Sequence, residues 1–394
     1  MTAIAVAGVV PRDVVTPRSI DELATIVREL HDARKPFAFV GGGTHLALGN
    51  PPRALDTVVR MTALDAVVDY TPEDQTITVE AGITLAELDA LLAQHGQMLP
   101  LDVADRTRST VGGLVAMNAY GRRRQRYGAV KDLIVGVGIV LPDGVRARGG
   151  GKVVKNVAGF DLPKLMVGSL GTLGAIATVT LRLYPVAEAT RAAALTFEFA
   201  DDVTAAARAL IERRLEPESV ALYNDDTLVV SIAGMQRGVD AQMATLLDEI
   251  APATSARARE LTELERESYE QRERAVRRDG AWRLCITAPP STDVARLGAV
   301  VDVPPVAVPV AYPLLGVALR AYADAPAPLA GVREQVAAET RGAGQIVISA
   351  MPDTARATVD AWGPPPPSFA LMRAVKHNFD PHGLCNPGRF VGGL

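Results

Sequence analysis

The sequence predicts an α+β protein with two unlike halves, and three observations carry that expectation. The first half sets amphipathic helices beside short apolar strands and punctuates them with glycine. The second half alternates strands with longer, more polar helices, a pattern that suits an antiparallel sheet with helices against one face. A last segment, "ALMRAVKHNFDPHGLCNPGRFVGGL", follows the proline run "WGPPPPSF" and is unlike it in composition. The expected divisions are residues 1–188, 189–368 and 369–394. The proline run reads as a stiff, exposed linker, and the final segment should dock at a specific place.

In chain order, "SIDELATIVRELHDARK" puts Ile20, Leu23, Ala24, Val27 and Leu30 on one helical face, with Ser19 as N-cap. "PFAFV" reads as a strand running into Gly41. "TVVRM" and "AVVDYTPEDQTITVEAG" add strands, the latter two joined tightly at "EDQ". "TLAELDALLAQHG" is a second helix with the Thr84…Glu87 capping signature and a stop near Gly96. Strands follow at residues 134–141, closed by Pro-Asp-Gly, and at 175–183, closed by Tyr184-Pro185.

In the second half, "ALTFEFA", "SVALYNDDTLVVSIAG", "WRLCITA" and "LLGVALRAY" read as strands. Helical patterns cover 203–214, 239–250, 256–278 and 329–340. The third has Glu270 with Arg274 and Glu273 with Arg277 at helical separations, as a solvated helix would.

Composition removes several functions. The 394 residues carry a formal charge of −4 and only 5% aromatics, which argues against a general nucleic-acid binder. No apolar stretch is long enough to span a bilayer, and the N-terminus lacks the basic region of a signal peptide. The expected location is cytoplasmic, with membrane contact only through a partner. Cys285 and Cys385 form no CxxC unit. A reduced pair is expected, with a disulfide between them as the alternative. No metal site is expected.

The stretch "PFAFVGGGTHLALGNPP" poses the main chemical question. A nucleoside-triphosphate loop needs a lysine that Gly41–Gly49 lacks. A dinucleotide fingerprint needs a third glycine and a following helix, and "ALGNPPRAL" is broken by prolines. Further glycine clusters keep it company: Thr110-Val111-Gly112-Gly113, Tyr127-Gly128, and Gly168 through Gly174. Glycines let a ligand approach backbone N–H groups, which can hold a pyrophosphate without many cationic side chains. Such a distributed site suits a long dinucleotide; a ligand-free turn is the alternative.

These motifs, in this order, resemble the flavin-binding domain of the vanillyl-alcohol oxidase and p-cresol methylhydroxylase family. Gly41, Gly42, Gly43 and Thr44 look like its first pyrophosphate loop. "STVGGLVAMNAYGRRRQRYG" looks like its second flavin-contacting loop, through Thr110, Gly112, Gly113, Asn118, Tyr127 and Gly128. "DLPKLMVGSLGTLGAIATVTLRLYP" looks like the closing segment, through Gly168, Ser169, Gly174 and Ile176. "FDPHGLCNPGRF" is similar to the family's terminal motif, which returns to the flavin domain, with Asn386 and Arg389 as a latch. The resemblance implies an FAD-binding domain of the PCMH type, built from two α/β lobes, then a smaller cap of antiparallel sheet and helices. Pro100 and His45 join the implied FAD contacts; for His45, anchoring the loop is the alternative. Where relatives attach flavin covalently, a histidine follows two glycines. Thr44 stands in that position here and His45 in the next one, so noncovalent FAD is expected.

"GGKVVKNVAGFDL" narrows the resemblance to the smaller flavin-domain subunits of glycolate oxidase, the E subunits. That implies a larger flavoprotein subunit and an iron–sulfur subunit as partners, with a small 2-hydroxy acid as substrate. Self-contained D-2-hydroxyacid dehydrogenases of this branch carry a histidine-rich segment in their second domain, and here no histidine lies between Gln97 and Lys376. The implied role is therefore relaying electrons or assisting hydride transfer within a complex. A self-contained dehydrogenase and a noncatalytic stabilising subunit are the alternatives. Lys155 is the candidate for stabilising negative charge on the flavin. Tyr127 is the candidate for shaping its wall or for catalysis. Arg122, Arg123, Arg124 and Arg126 form a basic run read either as a solvated loop or as a dock for an acidic partner, and Met98, Met117, Met166 and Met372 as core filling.

Overall fold

The computed structural model describes residues 4–151, 160–224, 226–289, 305–325 and 329–394. They form two compact units. One comprises Met1–Tyr120, Gly128–Val186 and Asp353–Leu394, the other Gly121–Tyr127 and Ala187–Pro352.

The first unit opens with a parallel βαβ arrangement. Strands β1 (Asp13–Val15) and β2 (Phe37–Val40) flank β3 (Thr57–Arg60), with helix α1 (Ile20–Asp32) between β1 and β2 in the chain. Ser19 caps α1 by accepting from the Glu22 N–H. Leu23, Ala24, Val27 and Leu30 are buried in one core with Phe37 and Val59, as their spacing predicts.

A second sheet takes β4 (Val67–Thr71), β5 (Thr76–Glu80), β7 (Ile134–Val140), β8 (Arg146–Gly150) and β9 (Ala175–Arg182), antiparallel in the order β4-β5-β9-β7-β8. Gln75 joins β4 to β5 with a left-handed φ of 51°. Helix α2 (Leu85–Ala93) starts at a Thr84/Glu87 capping box and buries Leu85, Leu88 and Leu92. The strand pair β6 (Gln97–Met98) and β10 (Tyr184–Pro185) lies apart from this sheet. Short helices α3 (Val111–Met117), α5 (Val130–Leu133) and α6 (Leu162–Met166) complete the glycine-rich stretch, while α4 (Arg124–Tyr127) belongs to the other unit.

The second unit is one eight-stranded antiparallel sheet. Its first module runs β11 (Ala189–Thr196), α7 (Ala200–Glu212), β12 (Ser219–Tyr223), β13 (Thr227–Gly234), α8 (Gln236–Ala244), α9 (Ala251–Ala253) and β14 (Arg257–Glu260). After α10 (Glu263–Arg278) come β15 (Trp282–Thr287), β16 (Val310–Tyr312), β17 (Val317–Tyr322), α11 (Leu329–Glu339) and β18 (Gln345–Ala350). The sheet order β14-β11-β13-β12-β16-β17-β15-β18 is two four-strand modules of the same order, joined edge to edge at β12 and β16.

Three expectations are corrected. The helix expected from residue 256 begins at Glu263, because Thr262 and Glu265 form a capping box; Arg257–Glu260 is instead a charged edge strand on β11. The segment Gln345–Ala350 is a strand whose burial alternates, a period-two signal the sequence reading passed over. The arginine run is neither a solvated loop nor a free basic patch. Arg122 is buried and pairs with Glu270 at 2.7 Å and Glu273 at 3.3 Å. Arg123 meets Glu218 at 3.2 Å, and Arg126 donates to the carbonyls of Glu216 and Ala233. All these partners lie in the second unit, so the charges of Arg122 and Arg123 are compensated within it while Arg126 is held by backbone carbonyls.

The C-terminal stretch of the first unit begins before the proline run. Trp362, expected in an exposed linker, donates its indole N–H to the Arg389 carbonyl and packs on Phe390. Helix α12 (Phe369–Phe379) leads to a turn that extends the β2 edge. Phe37 donates to the Leu384 carbonyl, and Asn386 donates to that of Phe37.

Candidate functional site

A cavity in the first unit is lined by three chain segments and the C-terminal turn. Its rim is the loop leaving β2, whose residues Gly41, Gly42, Gly43, Thr44 and His45 all face it. Thr110, Gly112 and Gly113, at the start of α3, form the second side, with Met117 at the end of that helix. Leu170, Gly171, Gly174 and Ile176 form the third, and Asn386 and Arg389 close it.

The glycines do two different jobs. A Cβ on Gly41 would lie 2.2 Å from the Thr110 Oγ1, and one on Gly42 would lie 1.5 Å from the Arg108 carbonyl oxygen. These two glycines make room for the neighbouring protein loop, not for a ligand. Gly112 and Gly174 are likewise packed against backbone, of Ala81 and Val140. At Gly43, φ is +74° and the nearest atom to a Cβ is 3.4 Å away, while at Gly113 the Thr110 Oγ1 at 3.1 Å is the sole neighbour. At Gly171, also in the lining, the nearest atom is 3.6 Å away. The expectation that missing side chains make room for a ligand therefore fits these three positions, which no backbone atom crowds, and gives way to packing between loops at the other four.

The polar lining is short of protein partners. Among the described residues, the Arg389 Nε and Asn386 Oδ1 of the lining are buried without a hydrogen-bond partner; the Ser169 Oγ and Asn118 Oδ1 are too, but their residues do not line the cavity. A buried polar atom left unpaired costs about 1–3 kcal/mol, so the two in the lining need an explanation. Arg389 is 4% exposed, and burial, with Arg356 nearby, pushes its guanidinium down to about 10; it stays charged at neutral pH. Its Nη2 donates to the carbonyls of Leu46 and Leu48, while Arg356 donates to those of Ala47 and Gly49. Two arginines thus hold the segment that follows the first glycine loop. Thr44 bonds His45 Nδ1 at 2.9 Å, and its hydroxyl lies 3.4 Å from the Ser109 Oγ.

Other expected site residues stand elsewhere. Pro100 is buried outside the cavity lining. Gly168 and Asn118 are neighbours, since a Cβ on Gly168 would lie 3.6 Å from that of Asn118. Gly128 has φ +81° and abuts Asp132, a turn requirement. Tyr127 is 9% exposed at the end of α4, in the second unit. Lys155 lies outside the described residues. Reading by motif passed over Met61, Ser109, Leu170 and Gly171, which all line the cavity. Ser109 was within reach, being next to Thr110 in the same quoted segment. Met117, expected as core filling, lines the cavity as well.

Several features bear on chemistry by restricting it. Neither cysteine is in a disulfide, and burial drives the Cys385 thiol far above its usual range, which makes it inert. Among the described residues no helix is long and apolar enough to cross a membrane.

Comparison with known proteins agrees with this geometry. A family described as "FAD binding domain" matches residues 11–149, and one described as "FAD linked oxidases, C-terminal domain" matches 364–390. The glycolate oxidase subunit GlcD of Bacillus subtilis is 30% identical over 56% of this chain and 47% of its own. The glycolate oxidase subunit GlcE of Escherichia coli is 30% identical over 57% of this chain and 64% of its own. A D-lactate dehydrogenase of Archaeoglobus fulgidus is 33% identical over 52% of this chain and 46% of its own. The chain spans about half the length of most of these curated relatives. Among solved structures, p-cresol methylhydroxylase with substrate bound superposes with a TM-score of 0.72 at 15% identity, over 95% of this chain and 88% of that one. That likeness establishes the fold: a PCMH-type flavin-binding architecture.

Proposed function

We propose that the chain is a member of the FAD-linked oxidase family and holds its FAD noncovalently in the first unit's cavity, as a subunit of a complex that oxidises a small 2-hydroxy acid such as glycolate or D-lactate. The observation that carries this is the pair of buried polar atoms in the cavity lining without protein partners, Arg389 Nε and Asn386 Oδ1. A polar dinucleotide satisfies such atoms, whereas an apolar ligand leaves them unpaired. The fit is also one of charge. Arg389 is a desolvated cation at the cavity wall, and a two-phosphate bridge is an anion.

When bound, FAD supplies the redox chemistry by accepting a hydride equivalent at its ring. The chain's own residues bind and orient it. Gly43 and Gly113 leave backbone exposed to the ligand, and the hydroxyls of Thr44 and Ser109 offer donors beside it. Met61, Leu114, Met117 and Ile176 supply an apolar wall that excludes water. Tyr127 and Lys155 are our candidates for shaping the ring's surroundings and for stabilising charge on it.

The subunit reading rests on three further facts. Relatives named GlcD and GlcE are subunits of glycolate oxidase. The residues 187–352 hold no histidine, so this stretch offers no imidazole base for a hydroxy acid. The two cysteines cannot ligate an iron–sulfur cluster, which takes about four. We therefore assign the partners as a larger flavoprotein subunit and an iron–sulfur subunit.

The test is purification of the chain alone and with its associated chains. We expect yellow protein whose colour passes entirely to the supernatant on acid precipitation. Glycolate or D-lactate should bleach the flavin of the complex but not that of the isolated chain. Rapid bleaching in isolation would establish a self-contained dehydrogenase instead, and a chain that fails to bind FAD would overturn the reading.

A further inference from the structure

Lys376 lies on α12 and does not line the cavity. It is nonetheless 9% exposed, and each proton of its ammonium has one acceptor. Nζ donates to Asp380 Oδ2 at 2.6 Å, the Thr172 carbonyl at 2.7 Å and the Cys385 carbonyl at 2.9 Å. Three donors on a tetrahedral cation meet three acceptors, two from the C-terminal stretch and one from the distant Thr172 turn; a planar guanidinium could not serve all of them. Asp380, 2% exposed, completes the knot by accepting from the N–H groups of Leu384 and Cys385.

The carbonyl Lys376 holds is the last of three in a row. The Leu170 carbonyl accepts from Asn386 Nδ2, that of Gly171 from Cys385 Sγ, and that of Thr172 from Lys376 Nζ. This turn is the third side of the cavity, and it is strained. Leu170 has φ +50° and Gly171 has φ +66°, and a left-handed conformation at a bulky non-glycine residue costs about 1–2 kcal/mol. Such a conformation persists only where the surroundings impose it. Here the C-terminal turn imposes it, and Lys376 ties that turn and the strained turn to one helix.

We propose that Lys376 is a positioning residue of the cofactor site: its ammonium, held by Asp380, fixes the Leu170–Thr172 turn and Asn386 in the geometry that receives the cofactor. The consequence for FAD rests on the reading that FAD occupies this cavity; the consequence for the turn does not.

The experiment uses the full chain with Lys376→Met alone and with Lys376→Met joined to Asp380→Asn. The single change leaves a buried carboxylate uncompensated and should lower the melting temperature sharply. The pair removes both charges together, which proteins tolerate far better. We expect the paired variant to melt close to the parent. Amide exchange across 168–174 should nevertheless quicken by about tenfold or more without flavin, while exchange in α1 stays at the parent rate. FAD affinity should fall by about tenfold, with an altered visible circular dichroism of whatever flavin is bound. Parent-like exchange in 168–174 by the paired variant would overturn the proposal, whatever its flavin content. Quickened exchange in a chain whose parent fails to bind FAD would support the positioning role and count against the cofactor reading alone.

Discussion

A methyl group on Gly42 would lie 1.5 Å from the Arg108 carbonyl oxygen, whereas one on Gly113 would meet only the Thr110 Oγ1. The two positions look equivalent in the sequence and differ in what they exclude. Gly113→Ala should change the chain's stability by less than about 1 kcal/mol, because alanine's better helix propensity is offset by a Cβ 3.1 Å from the capping Thr110 Oγ1. It should still weaken FAD binding about tenfold by filling the cavity. Gly42→Ala should reduce both, since the loop must move to admit it. Denaturant unfolding set beside flavin titration separates the cases. Cys385 offers a second check at this scale. Burial drives its thiol up, so a thiol reagent at pH 8 should leave it unmodified until the chain is denatured.

Among elements, those with a local signal were legible. Helix α2 was readable because Thr84 and Glu87 announce its start, and the structure has the full reciprocal box. Thr84→Ala should cost about 1 kcal/mol. The hydrogen bonds from Thr84 hold the Glu87 carboxyl below its usual value. A depressed carboxylate contributes its stability above the unfolded pKa, near 4.5, and loses it as pH falls through the folded value. The difference between parent and Thr84→Ala should therefore shrink in acid; an unchanged difference at pH 3 would contradict the assignment. The arginine run was misread because its partners, Glu218, Glu270 and Glu273, come some 90 to 150 residues later. Ion pairing at that range has no periodicity to detect. Arg122→Ala should destabilise by about 3 kcal/mol, as expected when a buried carboxylate loses a partner.

Across the whole molecule, the class of fold and the sequence segments that gather at the cavity could be read from glycine placement and motif order. What could not be read is why each glycine is there. Gly41, Gly42, Gly112 and Gly174 serve packing between segments distant in sequence, a property of the closed structure alone. The same holds for the bond from Lys376 to the Thr172 carbonyl, 204 residues away in the chain. The cavity's unpaired polar groups carry a further consequence. A ligand that satisfies them in the folded state alone should stabilise the chain by about 2.7 kcal/mol at a free concentration a hundred times its Kd, readable as a concentration-dependent melting temperature.

The most direct measurement is amide hydrogen exchange of the full chain with and without FAD. We predict flavin-dependent protection concentrated in residues 41–46, 109–117, 168–176 and 386–389, the segments around the cavity. Protection confined to other segments, or none at saturating FAD, would contradict the placement of the cofactor.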